Sequence, residues 1–148
     1  MRAVEGAKLA EDLLMRADLI EKTKDAIAKR APEIGKEYAE KVKARIDELL
    51  EGKIEIPEER VLLEAAIFAD KANITEELIR LGSHIDQLRS FINSDESNVG
   101  KKIDFLVQEM NREANTIGSK SNDKEITSYM LDLKAEIEKI REQVQNIE

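Results

Sequence analysis

Ile126-Thr-Ser-Tyr-Met-Leu-Asp-Leu-Lys-Ala-Glu-Ile-Glu-Lys-Ile-Arg-Glu-Gln-Val-Gln-Asn-Ile147 places apolar residues at Ile126, Met130, Leu133, Ile137, Ile140, Val144 and Ile147. The spacing alternates between four and three, which keeps a narrow stripe on one side of an α-helix and marks a coiled-coil seam. Such a stripe is core or interface, not a cofactor box. It decides the fold class. The chain is expected to be all-α, with long antiparallel helices and coiled-coil-like seams, arranged as a hairpin or bundle and oligomeric.

The same pattern extends toward the N-terminus. Val99, Ile103, Leu106 and Met110 form one seam, and Ile74, Leu78, Leu81, Ile85, Leu88 and Ile92 another. Leu9, Leu13, Ala17, Ile20 and Ile27 lie near one face of a first helix over residues 4–30. Pro32 interrupts it and suits the first turn of a second helix, which buries Ile34, Tyr38, Val42, Ile46, Leu49 and Leu50. Gly52 is a helix stop, residues 53–56 are a short extended piece, and Pro57 starts a third helix over 58–93. Residues 93–98 form a polar loop rich in turn formers. Gly118 and the following polar residues break the fourth helix, and Asn122 with Glu125 has capping-box spacing for the fifth. The organisation is thus a helical pair with a linker over 1–56 and a helical region over 57–148. Seams that run to the last residues need covering, which predicts self-association.

Composition narrows the function. Two Pro, six Gly, 3% aromatic and 38% charged residues favour long helices over a sheet. Without Cys there are no disulfides or thiolate metal sites, and one His excludes a His cluster within a chain. The polar start, Met1 to Lys8, lacks the apolar core of a signal peptide, and no apolar run is long enough to span a bilayer. No membrane partner is expected, and a cytoplasmic location is. Asn73-Ile-Thr75 fits a glycosylation pattern that has no meaning in such a compartment. A net charge of -8 argues against a free-standing nucleic-acid binder, which usually has a basic face.

One block does not read as plain helix. Gln108, Glu109, Asn111, Arg112, Glu113, Asn115 and Thr116 crowd about two turns. Asn and Thr compete with backbone hydrogen bonds and are poor interior helix residues, so recognition of a polar ligand is one reading. On the third helix Asp70, Glu77 and His84 are spaced by seven and share a stripe, with Asn73 and Arg80 beside it. On the fourth, Asp104, Gln108, Arg112 and Asn115 share a face, and Glu109, Glu113, Thr116 and Lys120 the adjacent one. A hairpin of the two helices would bring carboxylates, an amide, a guanidinium and the only imidazole together. Carboxylates suit Mg²⁺ or Mn²⁺. The simpler alternatives are a solvated face with ion pairs for the charges, and a half-buried structural role for His84. Phosphate loops and serine nucleophile motifs are missing.

Gly100-Lys-Lys-Ile-Asp-Phe-Leu-Val-Gln-Glu-Met-Asn-Arg-Glu-Ala-Asn-Thr-Ile-Gly-Ser-Lys120, together with Ala69–His84 and the ending Arg141–Glu148, closely resembles the C-terminal region of the YicC/YloC-like endoribonuclease family. Glu5-Gly6 followed by Leu9 fits the place where the second half of that family begins. The resemblance covers essentially the whole chain, and its motifs are long and non-periodic. Members begin with a further N-terminal domain. The resemblance implies a bacterial cytoplasmic protein that binds and cleaves RNA with a divalent metal. It also implies homo-oligomers, reported as hexamers, and a link to small-RNA turnover alongside other ribonucleases.

On this reading Glu77, Asp104, Glu109 and Glu113 would hold Mg²⁺ or Mn²⁺, with Glu109, Glu113 and His84 in the catalytic step. Arg80, Lys102, Arg112 and Lys120 would hold phosphates, and Gln108 and Asn115 would contact sugar or base edges. The rival reading is an oligomerisation or adaptor module that docks another ribonuclease and cleaves nothing itself. On that reading the polar block specifies register or partner. The direction in which residues 108–115 point separates the two.

Overall fold

The computed structural model describes residues 3–53, 55–94 and 98–147, without the side chains of residues 3–5 and 147. Ile54 of the expected extended piece, residues 95–97 of the polar loop and the Ile147 side chain at the end of the last stripe therefore lie outside what is described. Five helices follow in order: α1 Ala3–Leu50, α2 Glu58–Lys71, α3 Thr75–Ile92, α4 Val99–Lys120 and α5 Lys124–Ile147. No strand occurs among the described residues, so the all-α expectation holds.

The seams meet in one core. Leu13, Ala17, Ile20 and Ile27 of α1 join Leu81, Ile85 and Leu88 of α3, Ile103 to Ile117 of α4, and Ile126 to Val144 of α5. The cluster takes residues from both sides of position 56. Neighbouring helices run antiparallel, as their cross-ties show. Gln143 donates to Asp12 at 2.5 Å and Arg16 to Glu136 at 3.0 Å between α1 and α5. Arg89 donates to Asp18 at 2.7 Å and Glu21 at 2.6 Å between α3 and α1. Such partly exposed pairs contribute roughly 0–1 kcal/mol each and set register more than stability. Burial of the apolar stripes supplies the main driving force.

Four local expectations need correction. Pro32 does not separate two helices: it lies inside the 48-residue α1. An interior proline removes one backbone hydrogen bond and costs about 3 kcal/mol in a free helix. Here packing on both sides of it offsets that loss. Before it, α1 joins the core. After it, Tyr38 stacks on Phe68 of α2 at 3.9 Å, and a β-carbon on Gly35 would lie 4.0 Å from Ala69. The expected third helix is two helices, because Asn73 Oδ1 accepts the Thr75 N–H at 2.9 Å and offers the backbone a local alternative. Helix α4 runs through Gly118 to Lys120. The cap of α5 is Asp123, whose Oδ2 accepts the Ile126 N–H at 3.1 Å, rather than Asn122.

The second half of α1 and α2 form an arm that projects about 27 Å beyond the four-helix core, taking Glu33–Leu50 at about 1.5 Å per residue. The arm is thinly covered. Ile34, Tyr38, Val42, Ile46 and Leu50, expected to be buried, are half-buried, and Leu49 is 65% exposed. Two helices alone cannot enclose a stripe. Val61 is buried there, while Leu62, Leu63 and Ile67 face outward.

Candidate functional site on the face between α3 and α4

Helices α3 and α4 lie antiparallel, so successive turns of one meet the turns of the other in reverse order. Arg80 Nε donates to Glu113 Oε1 at 2.8 Å. One turn back along α3 and two turns on along α4, Lys120 Nζ donates to Glu77 Oε1 at 2.8 Å and lies 3.4 Å from the Asn73 carbonyl. Arg80 also lies 3.6 Å from Glu77 and 3.6 Å from Glu76. The result is a continuous ladder, Lys120–Glu77–Arg80–Glu113, spanning both helices. Glu77 and Glu113 are only 2% and 5% exposed, yet each has a cation to balance it. Burial pushes the Glu77 carboxyl up. The Lys120 hydrogen bond, its own backbone amide and the charges of Lys120 and Arg80 outweigh that push and hold it below its ordinary value. The bond to Glu113 raises the Arg80 guanidinium above its ordinary value.

Continuing the register, His84 follows Arg80 by one turn and Glu109 precedes Glu113 by one turn, which sets His84 level with Glu109. Both are half-buried. His84 Nδ1 is buried and has no hydrogen-bond partner, as is Glu77 Oε2. Arg112 is exposed and lies 3.8 Å from Glu109. Gln108 donates to Asp104 at 3.4 Å along α4. Gln108 and Asn115 are exposed, so the outer face of the polar block points to solvent. Lys102 lies over the Phe91 ring at 5.5 Å, at the far end of the same helix pair.

The structure therefore brings Glu77, Arg80, Glu113 and Lys120 together, with His84 and Glu109 one turn further along their helices. Asp104, Gln108, Arg112 and Asn115 stand on the neighbouring face of α4, and Lys102 lies beyond them. The expected four-carboxylate metal set does not assemble. Among the described residues no three His, Asp or Glu side chains gather as metal ligands. The reason is the rung geometry: Glu77 and Glu113 each turn toward a cation, and Asp104 lies more than two turns from Glu113 along α4. As they stand, the described carboxylates do not form a divalent-metal site, because Glu77 and Glu113 are each held by a cation. The Asn73 carbonyl, beside the stripe as expected, belongs to the ladder, and so does Glu76, which the sequence reading does not name. The four-residue spacing of Glu76 and Arg80 was the available sign. Ser121, buried at the α4–α5 corner, carried no sign in the sequence.

A helical array whose polar face crosses two antiparallel helices defines the class of the protein. The particular family follows from comparison. The family model described as "Endoribonuclease YicC-like, C-terminal" matches residues 27–148, and the chain belongs to this family. It is also 53% identical over all 148 residues to the "Probable endoribonuclease YicC" of Clostridioides difficile (strain 630). The chain spans about half the length of that relative. Among the described residues no helix is long and apolar enough to cross a membrane.

Proposed function

We propose that this chain is the helical portion of an endoribonuclease and that the α3–α4 face is where it meets RNA. The observation that carries this reading is the solvent-facing polar block. Gln108, Arg112 and Asn115 are outward groups on a helix whose inner positions already supply its packing. Beside them His84 offers an imidazole, the side-chain type suited to proton transfer near neutral pH. Its level placement with Glu109 fits a general acid and an orienting carboxylate. Arg112 provides a forked donor for a phosphate. The family membership supports an RNA-cleaving activity for the whole protein.

A requirement for Mg²⁺ or Mn²⁺ is part of the proposal as a test, with ligands completed outside the groups of a single chain. Self-association is the second part, supported by the exposed Leu49, Leu62, Leu63 and Ile67 on the arm. A strictly monomeric species in light scattering at micromolar concentration would refute that part.

The test is cleavage of a labelled structured RNA by a full-length protein of this family and by this chain, each with EDTA or Mn²⁺. His84→Ala should lower cleavage about 100-fold or more, the usual scale for a lost acid–base group, and Arg112→Ala should weaken RNA binding and lower cleavage with it. Unchanged cleavage by both variants would remove the α3–α4 face from the active site. It would leave the adaptor reading, in which the same face docks another ribonuclease.

A further inference from the structure

Two interruptions of the helices lie at one level. Gly35 faces Ala69 and Tyr38 stacks on Phe68, so α1 and α2 run antiparallel in register. Three residues before Gly35 stands Pro32; three residues after Ala69 stands Ala72, where α2 gives way to α3. Each leg of the arm is thus weakened at the same height. Pro32 has no N–H for the Ala28 carbonyl, and the Ala72–Ile74 break has no continuous helical ladder. A groove of about 910 Å³ lies at this level. It is lined from the core by Leu78, Ile79 and Gly82, and from the arm by Ile34, Gly35 and Phe68. Packed cores resist gradual deformation, whereas a groove of this size leaves room for movement.

Both weak points are held by one corner. At the α4–α5 turn, Lys120 reaches the Asn73 carbonyl of the break and Glu77 just below it. Asp123 accepts from Arg30 at 3.1 and 2.9 Å, and Glu125 lies 2.9 Å from the same guanidinium. Arg30 then crosses Pro32 to Glu37 on the arm with two bonds of 2.6 Å. A paired fork of this kind fixes orientation as well as distance. Arg30 is raised well above its ordinary value by Glu37 first and Asp123 second.

We propose that the arm, Glu33–Leu50 of α1 with α2, pivots as a unit on a two-point hinge at Pro32 and Ala72–Ile74. Arg30 is the latch that fixes its angle to the core. Breaking the Arg30–Glu37 bond frees the arm and changes the width of the groove. Hinges of this kind concentrate motion in a few residues while helices stay rigid.

The chain has no cysteine, which permits clean labelling at Glu48→Cys on the arm and Asp132→Cys on the core, both exposed. Distances between spin labels are measured with labelled chain diluted in unlabelled chain, so that only intramolecular pairs count. The parent protein should give one narrow distribution at low salt. Arg30→Gln and Glu37→Gln should each widen it about twofold. About 1 M NaCl, where the screening length falls to about 3 Å, should widen the parent and leave Arg30→Gln unchanged. Pro32→Ala should narrow it. Identical distributions for the parent, Arg30→Gln and Glu37→Gln would overturn the proposal. If Arg30→Gln loses helicity by circular dichroism, Glu37→Gln decides alone, since it leaves the Asp123 pair and cap intact.

Discussion

Replacing Lys120 with Met tests whether the ladder between α3 and α4 is held together by charge compensation. Glu77 is 2% exposed, with Oε1 2.8 Å from Lys120 Nζ and Oε2 buried without a partner. In Lys120→Met the carboxylate keeps Arg80 at 3.6 Å and its own backbone amide. Leaving one partner of a fully buried pair costs about 3–5 kcal/mol. The Lys120 side chain is 38% exposed and Arg80 remains, so about 2 kcal/mol is expected, near the scale for a lost charge-assisted bond. At this chain length that lowers Tm by roughly 4–8 °C. Glu77→Gln should cost about 0–1 kcal/mol, since the amide oxygen still accepts from Lys120 and no buried charge is stranded. The double variant should therefore cost less than the sum of the singles, measured by urea unfolding at constant m-value. Acid provides a second readout. The Glu77 carboxyl lies below its ordinary 4.5 in the folded chain. Its contribution is present above that unfolded value and is lost as pH falls through the folded one. Glu77→Gln should flatten this part of the acid limb. If Lys120→Met costs less than Glu77→Gln, or the two effects simply add, charge compensation is not what holds the rungs.

Other outcomes follow from the packing. Ile137→Ala empties a fully buried position in the central stripe of α5 and should cost about 2–5 kcal/mol in urea unfolding. Asp123→Ala removes the α5 cap together with an Arg30 partner and should cost about 1–2 kcal/mol; Asn122→Ala, exposed beside it, should stay within about 0.5 kcal/mol. Leu62→Ser with Leu63→Ser should leave Tm nearly unchanged, because both side chains are more than half exposed, and should reduce self-association in sedimentation if the arm is the interface.

The helices and their inner faces were legible because the stripes are long. Every described stripe residue of α5 is buried, and Ile103, Leu106 and Met110 of α4 meet it as their spacing requires. The interruptions were not legible. Pro32 reads as a boundary in any sequence, and only the partner helix on both sides of it keeps α1 continuous. Asn73-Ile-Thr75 fits a glycosylation pattern that carries no meaning here; what the sequence did not disclose is that the Asn73 side chain accepts the N–H of Thr75, the first residue of α3. At the site, the helical repeat correctly placed Glu77, Arg80, Glu113 and Lys120 on facing stripes. It could not say which carboxylates would turn toward cations. That depends on the antiparallel register, which fixes Arg80 against Glu113 and leaves Asp104 beside Gln108 instead.

If the α3–α4 face meets RNA as proposed, the ladder sets how that binding responds to salt. Arg80 has Glu76, Glu77 and Glu113 around it, and Lys120 is bound to Glu77. A phosphate must displace these carboxylates before it can use either cation. Arg112, 3.8 Å from Glu109, is the more available of the three. In a chain of net charge -8, one such contact cannot give strong attraction to a polyanion. Each phosphate neutralised on a single strand contributes about -0.7 to the slope of log K against log salt. This chain alone should therefore bind single-stranded RNA weakly, with a slope of about -1. A full-length protein of the family, or an assembly that repeats the α3–α4 face, should show a slope several times steeper. Arg112→Ala should flatten the slope of the chain toward zero, and Arg80→Ala should barely change it. A slope near -4 for the chain alone, or an Arg80→Ala effect equal to that of Arg112→Ala, would show that the carboxylates of the ladder do not hold their cations back from RNA.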